Sequence, residues 1–242
     1  MILNSNWIHL LFITLLSGGC AQKTIELEGG ELGNPQEVMN HICHKSQTPQ
    51  EVKGTVWMRA KSREASGQFP AHVLAQAPDQ LHLEVTNLIG STEAIIQVRG
   101  ESYEIAVPGK NRRKKQGYGT WGGIPLFWAH RLFLGQFPCP SRAQLDAARL
   151  NRVEEEGLKV RVERKTHTEE HPSYEEYTYY FSKWSGKPWV SELVWVRKGV
   201  VSAQVEFKFS QPDDETGSPL KWSAKSKRGE VKVRWKDRRV SF

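Results

Sequence analysis

Val201, Ala203, Val205, Phe207 and Phe209 alternate with Ser202, Gln204, Glu206 and Lys208. Side chains of a strand point alternately to its two faces, so this pattern makes a ribbon with one apolar and one wet side. The same period of two begins at Val52, with Val52, Gly54, Val56, Met58 and Ala60 on one face. It returns in segments 69–77, 81–86, 91–98 and 103–107, and then around 158–162, 177–181, 189–196, 220–224 and 231–235. Gly, Pro, Asp and Ser separate these segments, as turns between antiparallel neighbours require. About eleven strands with two or three helices are predicted. A sheet that wide must curl or close. The fold class is therefore mainly β with helices, a curved antiparallel sheet or incomplete barrel. Nine tryptophans and nine phenylalanines suffice to line a large concave interior.

One hairpin stands apart. Leu81, Leu83 and Val85 alternate with His82, Glu84 and Thr86, and Ala94-Ile-Ile-Gln-Val98 supplies a partner strand. Asn87 and Gly90 suit the first and last positions of a four-residue turn. The tip then falls on Leu88 and Ile89, where polar residues are the rule. Two large aliphatics there either pack down onto the sheet or enter something apolar. Leu83-Glu-Val-Thr-Asn-Leu-Ile-Gly-Ser-Thr-Glu93 resembles the strand–loop–strand segment of LolB-type outer-membrane lipoprotein receptors, whose pattern is close to apolar-Thr-Asn-Pro-Leu-Gly-Ser-Thr-Glu. Gly123-Ile-Pro-Leu-Phe-Trp-Ala-His-Arg-Leu-Phe-Leu-Gly-Gln-Phe-Pro138 resembles a second segment of that family. Elsewhere the match lies in strand order alone. Leu88 stands where the family has Pro and Ile89 where it has Leu, so the protruding apolar role implied by the resemblance falls on Ile89, shared with Leu88.

The N-terminus reads as a leader. Residues 1–19 hold an apolar run too short to span a bilayer as a mature helix, ending Leu16-Ser-Gly-Gly-Cys20. Small residues before a cysteine match the lipoprotein signal, in which Cys20 is acylated. The leucine lies one place upstream of its usual position and the start lacks Lys and Arg, so plain secretion with cleavage near Gly19 is the other reading. Residues 20–33 form a polar, Gly-containing tether, and a single domain spans 34–242. Asn34-Pro35-Gln36-Glu37 opens a helix to about Ser46. A second helix is expected over 124–134 and a short third one from Ser141.

The formal charge of +7 calls for anionic partners. Nucleic acid fits an exported chain poorly. Arg112, Arg113, Lys114 and Lys115 form a basic loop that is either plain solvated surface or a contact for anionic headgroups or an acidic partner, and the basic segment from Lys225 to Arg239 would engage the same partners. Cys43 and Cys139 remain once Cys20 is acylated; they pair as a disulfide or stay as two buried thiols. A metal site from His41, Cys43 and His44 has no further ligand cluster to complete it, and His167 with His171 sits in a polar turn. Glu154, Glu155 and Glu156 read as a surface run. No catalytic motif is present, so no enzyme activity, cofactor or metal is expected.

The resemblance implies an apolar cavity enclosed by the sheet and helices. Its lining candidates are Trp57, Leu83, Val85, Ile95, Phe127, Trp128, Phe133, Tyr179, Trp195, Val205 and Phe207. It also implies a monomeric outer-membrane lipoprotein on the periplasmic face. Such a protein takes acylated lipoproteins from a LolA-like periplasmic carrier and inserts them into outer-membrane lipid. Ala21, in place of Asp after the cysteine, agrees with outer-membrane sorting in Gram-negative bacteria. The other function carried by the same features is a membrane-anchored carrier of another lipid or hydrophobic ligand.

Overall fold

The computed structural model describes residues 35–44, 48–63, 66–109, 113–154, 157–164, 173–185, 187–199, 202–213 and 216–242. The leader, Cys20, the tether, Asn34, Arg112, Glu155, Glu156, His167 and His171 lie outside them. A first helix, α1 (Pro35–Cys43), precedes six strands: β1 (Glu51–Ser62), β2 (Ser66–Gln76), β3 (Gln80–Thr86), β4 (Thr92–Arg99), β5 (Ser102–Val107) and β6 (Arg113–Tyr118). A crossover follows, with β7 (Thr120–Trp121) paired to β8 (Ile124–Pro125), a 3-10 turn (Leu126–Trp128), α2 (Ala129–Phe133) and α3 (Arg142–Asp146). The chain then returns through β9 (Arg149–Val153), β10 (Gly157–Arg164), β11 (Ser173–Trp184), β12 (Lys187–Lys198), β13 (Ala203–Phe209), β14 (Lys221–Ser226) and β15 (Gly229–Ser241).

Thirteen of these strands make one antiparallel sheet in the order β6-β5-β4-β3-β2-β1-β15-β14-β13-β12-β11-β10-β9. Two meanders meet where the first strand pairs with the last, from Glu51 opposite Ser241 to Ser62 opposite Gly229. The sheet is open, with β6 and β9 as its edges. A bulge between Thr55 and Val56 interrupts the seam. Gly54 lies beside it because the backbones nearly touch: a Cβ there would sit 2.2 Å from the Asp237 carbonyl oxygen.

Alternation decides the faces. On β11, Ser173, Glu175, Tyr177, Tyr179 and Phe181 point inward and are buried; on β13, Val205, Phe207 and Phe209 do the same. The crossover lies against this inner face. The Trp128 ring stands 5.0 Å from Trp195, 5.5 Å from Phe207 and 6.1 Å from Tyr177, all edge-on. Phe133 meets Trp222 at 5.3 Å and Trp235 at 6.0 Å. Edge-to-face packing suits the ring quadrupoles and adds about 0.5–1.5 kcal/mol per pair beyond area burial.

Three expectations need correction. The main sheet has thirteen strands rather than eleven. The basic segment expected as a loop enters strand β6 at Arg113. The second helix is short: Ile124–Pro125 is strand, Leu126–Trp128 is a 3-10 turn, and only Ala129–Phe133 is α-helical. Pro125 sits in an extended conformation, φ −62° and ψ 128°, so the helix cannot begin before it. Gly135 at φ +76° ends it.

Cys43 and Cys139 are bonded, with Cα atoms 5.8 Å apart across 96 residues of chain. This ties the end of α1 to the exit of the crossover. Closing a loop of that length restricts the unfolded chain by about 4–5 kcal/mol in the chain-entropy view. Replacing both cysteines by serine is expected to lower the unfolding free energy by about 2–5 kcal/mol in urea titrations with the slope fitted freely. An unchanged free energy would refute that contribution.

Candidate functional site

The β3–β4 turn is held by one side chain. The Asn87 N–H donates to the Ser91 carbonyl at 3.0 Å, and the Gly90 N–H donates to the Asn87 carbonyl at 3.1 Å. Asn87 Oδ1 accepts from the N–H groups of Ile89 at 3.1 Å and Ser91 at 2.9 Å. Asn87 Nδ2 donates to Glu93 Oε1 at 3.2 Å. Gly90 takes φ +87°, the conformation the turn needs at that place. With the backbone closed on itself, Leu88 and Ile89 are thrust into solvent, 84% and 87% exposed. The tip does not pack against its own sheet.

Behind the tip, the inward faces of the same two strands floor an apolar cavity of about 150 Å³. Leu81 and Leu83 come from β3, Ile96 and Val98 from β4; Trp121, Leu126, Ala129, Leu132 and Phe133 of the crossover close it from above. An apolar cavity of about this size, lined by Leu, Ile and Phe, stays dry and admits a guest the size of benzene.

Of the sequence-predicted lining, Leu83 and Phe133 line this cavity. Val85 is buried between it and the tip. Trp128, Tyr179, Trp195, Val205 and Phe207 are buried in the aromatic core of the other meander. There the Tyr179 hydroxyl donates to the Pro138 carbonyl at 2.9 Å, and burial pushes its pKa well above the phenol range. Phe127 is half-buried against Trp128, with centroids 4.6 Å apart, and lines a separate cleft of about 660 Å³. Trp57 and Ile95 are corrections, because both lie on the outer face. Lys236 Nζ sits 5.2 Å from the centre of the Trp57 ring. Ile95 pairs with outward Glu84, and its neighbour Ile96 faces the cavity instead. An apolar run such as Ala94-Ile95-Ile96 hides its phase. Pairing Leu83 with Ile96 and Leu81 with Val98 resolves it.

The basic segment divides as well. Arg113 joins the backbone of β6. Lys114 pairs with Glu104 at 3.0 Å, and bonds from Gln116 and Lys114 hold that carboxyl below its usual pKa. Lys115 is exposed. Glu175 is buried; it accepts from half-buried Arg197 at 2.8 and 3.1 Å and from the Tyr177 hydroxyl at 2.9 Å. Among the described residues no three His, Cys, Asp or Glu gather as a metal site, and no helix is long and apolar enough to cross a membrane.

No family model matches the chain, and neither does any curated protein. Among solved structures it is similar to a putative outer membrane lipoprotein-sorting protein domain from Vibrio parahaemolyticus, at 9% identity and TM-score 0.44 over 79% of this chain and 85% of that one. It is similar to a LolA superfamily protein from Nitrosomonas europaea, at 8% identity and TM-score 0.47 over 86% and 92%. A DUF1329 family protein from Desulfovibrio piger is similar at 8% identity and TM-score 0.49 over 90% and 94%. These are likenesses of chain course.

His130 of α2 is buried beside the cavity-closing residues, and its Nδ1 has no partner. Burial, helped by Arg131, lowers its pKa to about 4 against the opposing pull of Asp79 and the Pro78 backbone. The unfolded chain binds this proton near pH 6.5 and the fold does not, so stability falls as pH drops from about 6.5 to 4. A single proton contributes a slope of up to about 1.4 kcal/mol per pH unit. His130→Gln is expected to flatten that part of the stability profile and leave it unchanged above pH 7. Equal dependence of the unfolding free energy on pH between about 4 and 6.5 in the two proteins, measured by urea titration at each pH, would sink the assignment.

Proposed function

We propose that this protein is an outer-membrane lipoprotein that accepts acylated lipoproteins from a periplasmic carrier and releases them into the outer membrane. The observation that carries the reading is the hydrogen-bonded, exposed Leu88–Ile89 tip on the two strands whose inward faces floor the apolar cavity. The cavity gives an acyl chain an apolar surface worth about 0.8 kcal/mol per buried CH₂. At about 150 Å³ the cavity seats the end of a chain, so a whole chain requires the crossover to lift from β3 and β4. The tip then disturbs the bilayer and lets the chain leave for a better solvent. Cys20 supplies the anchor, and the domain of residues 34–242 acts as one monomeric unit.

The cavity's size favours a second reading, a carrier of a smaller hydrophobic ligand. A transfer assay separates the two. Protein, carrier loaded with an acylated lipoprotein, and liposomes are mixed in sequence. Wild type is expected to take cargo and deliver it. Ile89→Glu is expected to take cargo but deliver it at least tenfold more slowly, since a charge resists entry into hydrocarbon. If wild type never takes cargo, the receptor reading is wrong. A cavity-filling change, Val98→Phe, is expected to cost about 1–3 kcal/mol in stability through overpacking and to block uptake. Normal uptake by a folded Val98→Phe protein would move the binding site elsewhere.

A further inference from the structure

The outer face of the β1–β15 seam carries a charge pattern that folding does not explain. At one level Lys61, Glu230, Lys225 and Glu206 lie side by side across β1, β15, β14 and β13, alternating in sign. The next two levels, toward the middle of the same strands, abandon that rule. Arg59 stands opposite Lys232, and Arg234 stands between Trp57 and Lys221. Like charges directly opposite one another destabilise a sheet. Lys232 finds Glu230 at 3.0 Å. Arg59, Lys221 and Arg234 are exposed and have no ion-pair partner among the described residues. Together with Lys232, and with Lys208, which pairs with Glu206 at 2.8 Å and Glu192 at 3.4 Å, they line a groove of about 630 Å³ whose lining holds no Asp or Glu. A merely solvated face has no reason to keep two repulsive pairs beside a level where the same strands alternate, and local rules are broken where function asks for it.

We propose that this groove docks on an anionic phospholipid surface and meets its phosphates while the hairpin tip enters the acyl region. The proposal rests on the reading that the tip touches a bilayer. Position selects the lipid. Val85 pairs with Ala71, and Ala71 with Val56, so the Leu88–Ile89 turn leaves the sheet at the level of Trp57 and Arg234. An apolar tip and a cationic face at one level are the two parts of an interfacial contact. An acidic protein would need the charges alone.

The test uses the full chain with Cys20→Ser, so that no acyl chain is attached. It is partitioned onto phosphatidylcholine vesicles and onto vesicles containing phosphatidylglycerol. Lys221→Ala with Arg234→Ala empties the groove of two charges. Lys61→Ala with Lys225→Ala removes two from the alternating level. One cation at an anionic surface is worth about fivefold in binding. The groove variant is expected to lose at least tenfold of the preference for anionic vesicles, and the control under threefold. Relief of repulsion should also raise the groove variant's Tm by about 1–3 °C, which reports its folding. Arg59→Gln repeats the test on the other side of β15 should the double variant not fold. A preference that survives in the groove variant, or falls equally in the control, overturns the proposal. So does a groove variant that stops binding polyglutamate yet keeps its vesicle preference, for the occupant is then an acidic protein. Ile89→Glu in the same assay lowers binding to both vesicle types. If it changes nothing while the groove variant loses its preference, the groove stands and the role of the tip falls.

Discussion

A sheet thirteen strands wide with one greasy face cannot stay flat and bare in water. Each large side chain on that face gains about 1.5–3 kcal/mol by leaving solvent, and nothing is near enough to cover it except the chain itself. The segment between β6 and β9 does this, coming back across the concavity instead of turning straight into another strand. Trp128 is its chief contact: less than 2% exposed, edge-on to three aromatic rings from β11, β12 and β13. The disulfide from Cys43 to Cys139 holds the far end of the same segment in place.

The two meanders are filled differently, and the difference places the candidate site. Over β11 to β14 the inward residues are mostly aromatic and interlock with the crossover. Over β1 to β5 they are mostly aliphatic or small, such as Ala60, Leu81, Leu83 and Val98, and a void remains. The void therefore sits under the strands that also carry the exposed tip. One hairpin has its inner face toward the hollow and its end in solvent.

Much of the architecture was legible in the period of two, because burial of one face imposes that period directly. The strands it missed are instructive. Arg113–Tyr118 and Arg149–Val153 became β6 and β9, the two edges of the sheet. Edge strands that carry Arg and Lys resist pairing with a second chain, and the same charges erase the apolar alternation that marks a strand. The tip was legible because Asn and Gly bracket two aliphatics. The cavity was only partly so: Leu83 and Phe133 line it, Trp57 and Ile95 do not. Composition names greasy residues, but the phase of a strand decides which way they point: Trp57 alternates with inward Val56 and Met58. The groove of like charges was legible only in its Lys225–Arg239 part; Arg59, Lys208 and Lys221 join Lys232 and Arg234 only through register.

The seam between β1 and β15 has a consequence for how the molecule comes into being. The strand that joins the two meanders, Gly229–Ser241, follows every other strand of the sheet in the chain. Until it arrives, β1 has a free edge along Glu51–Ser62, and β14 has one as well. Contacts this distant in sequence form slowly, and open edges beside exposed aromatic faces invite aggregation. Closure of the sheet therefore waits for β15, and a chain that has not yet formed it presents two open edges and its aromatic face together.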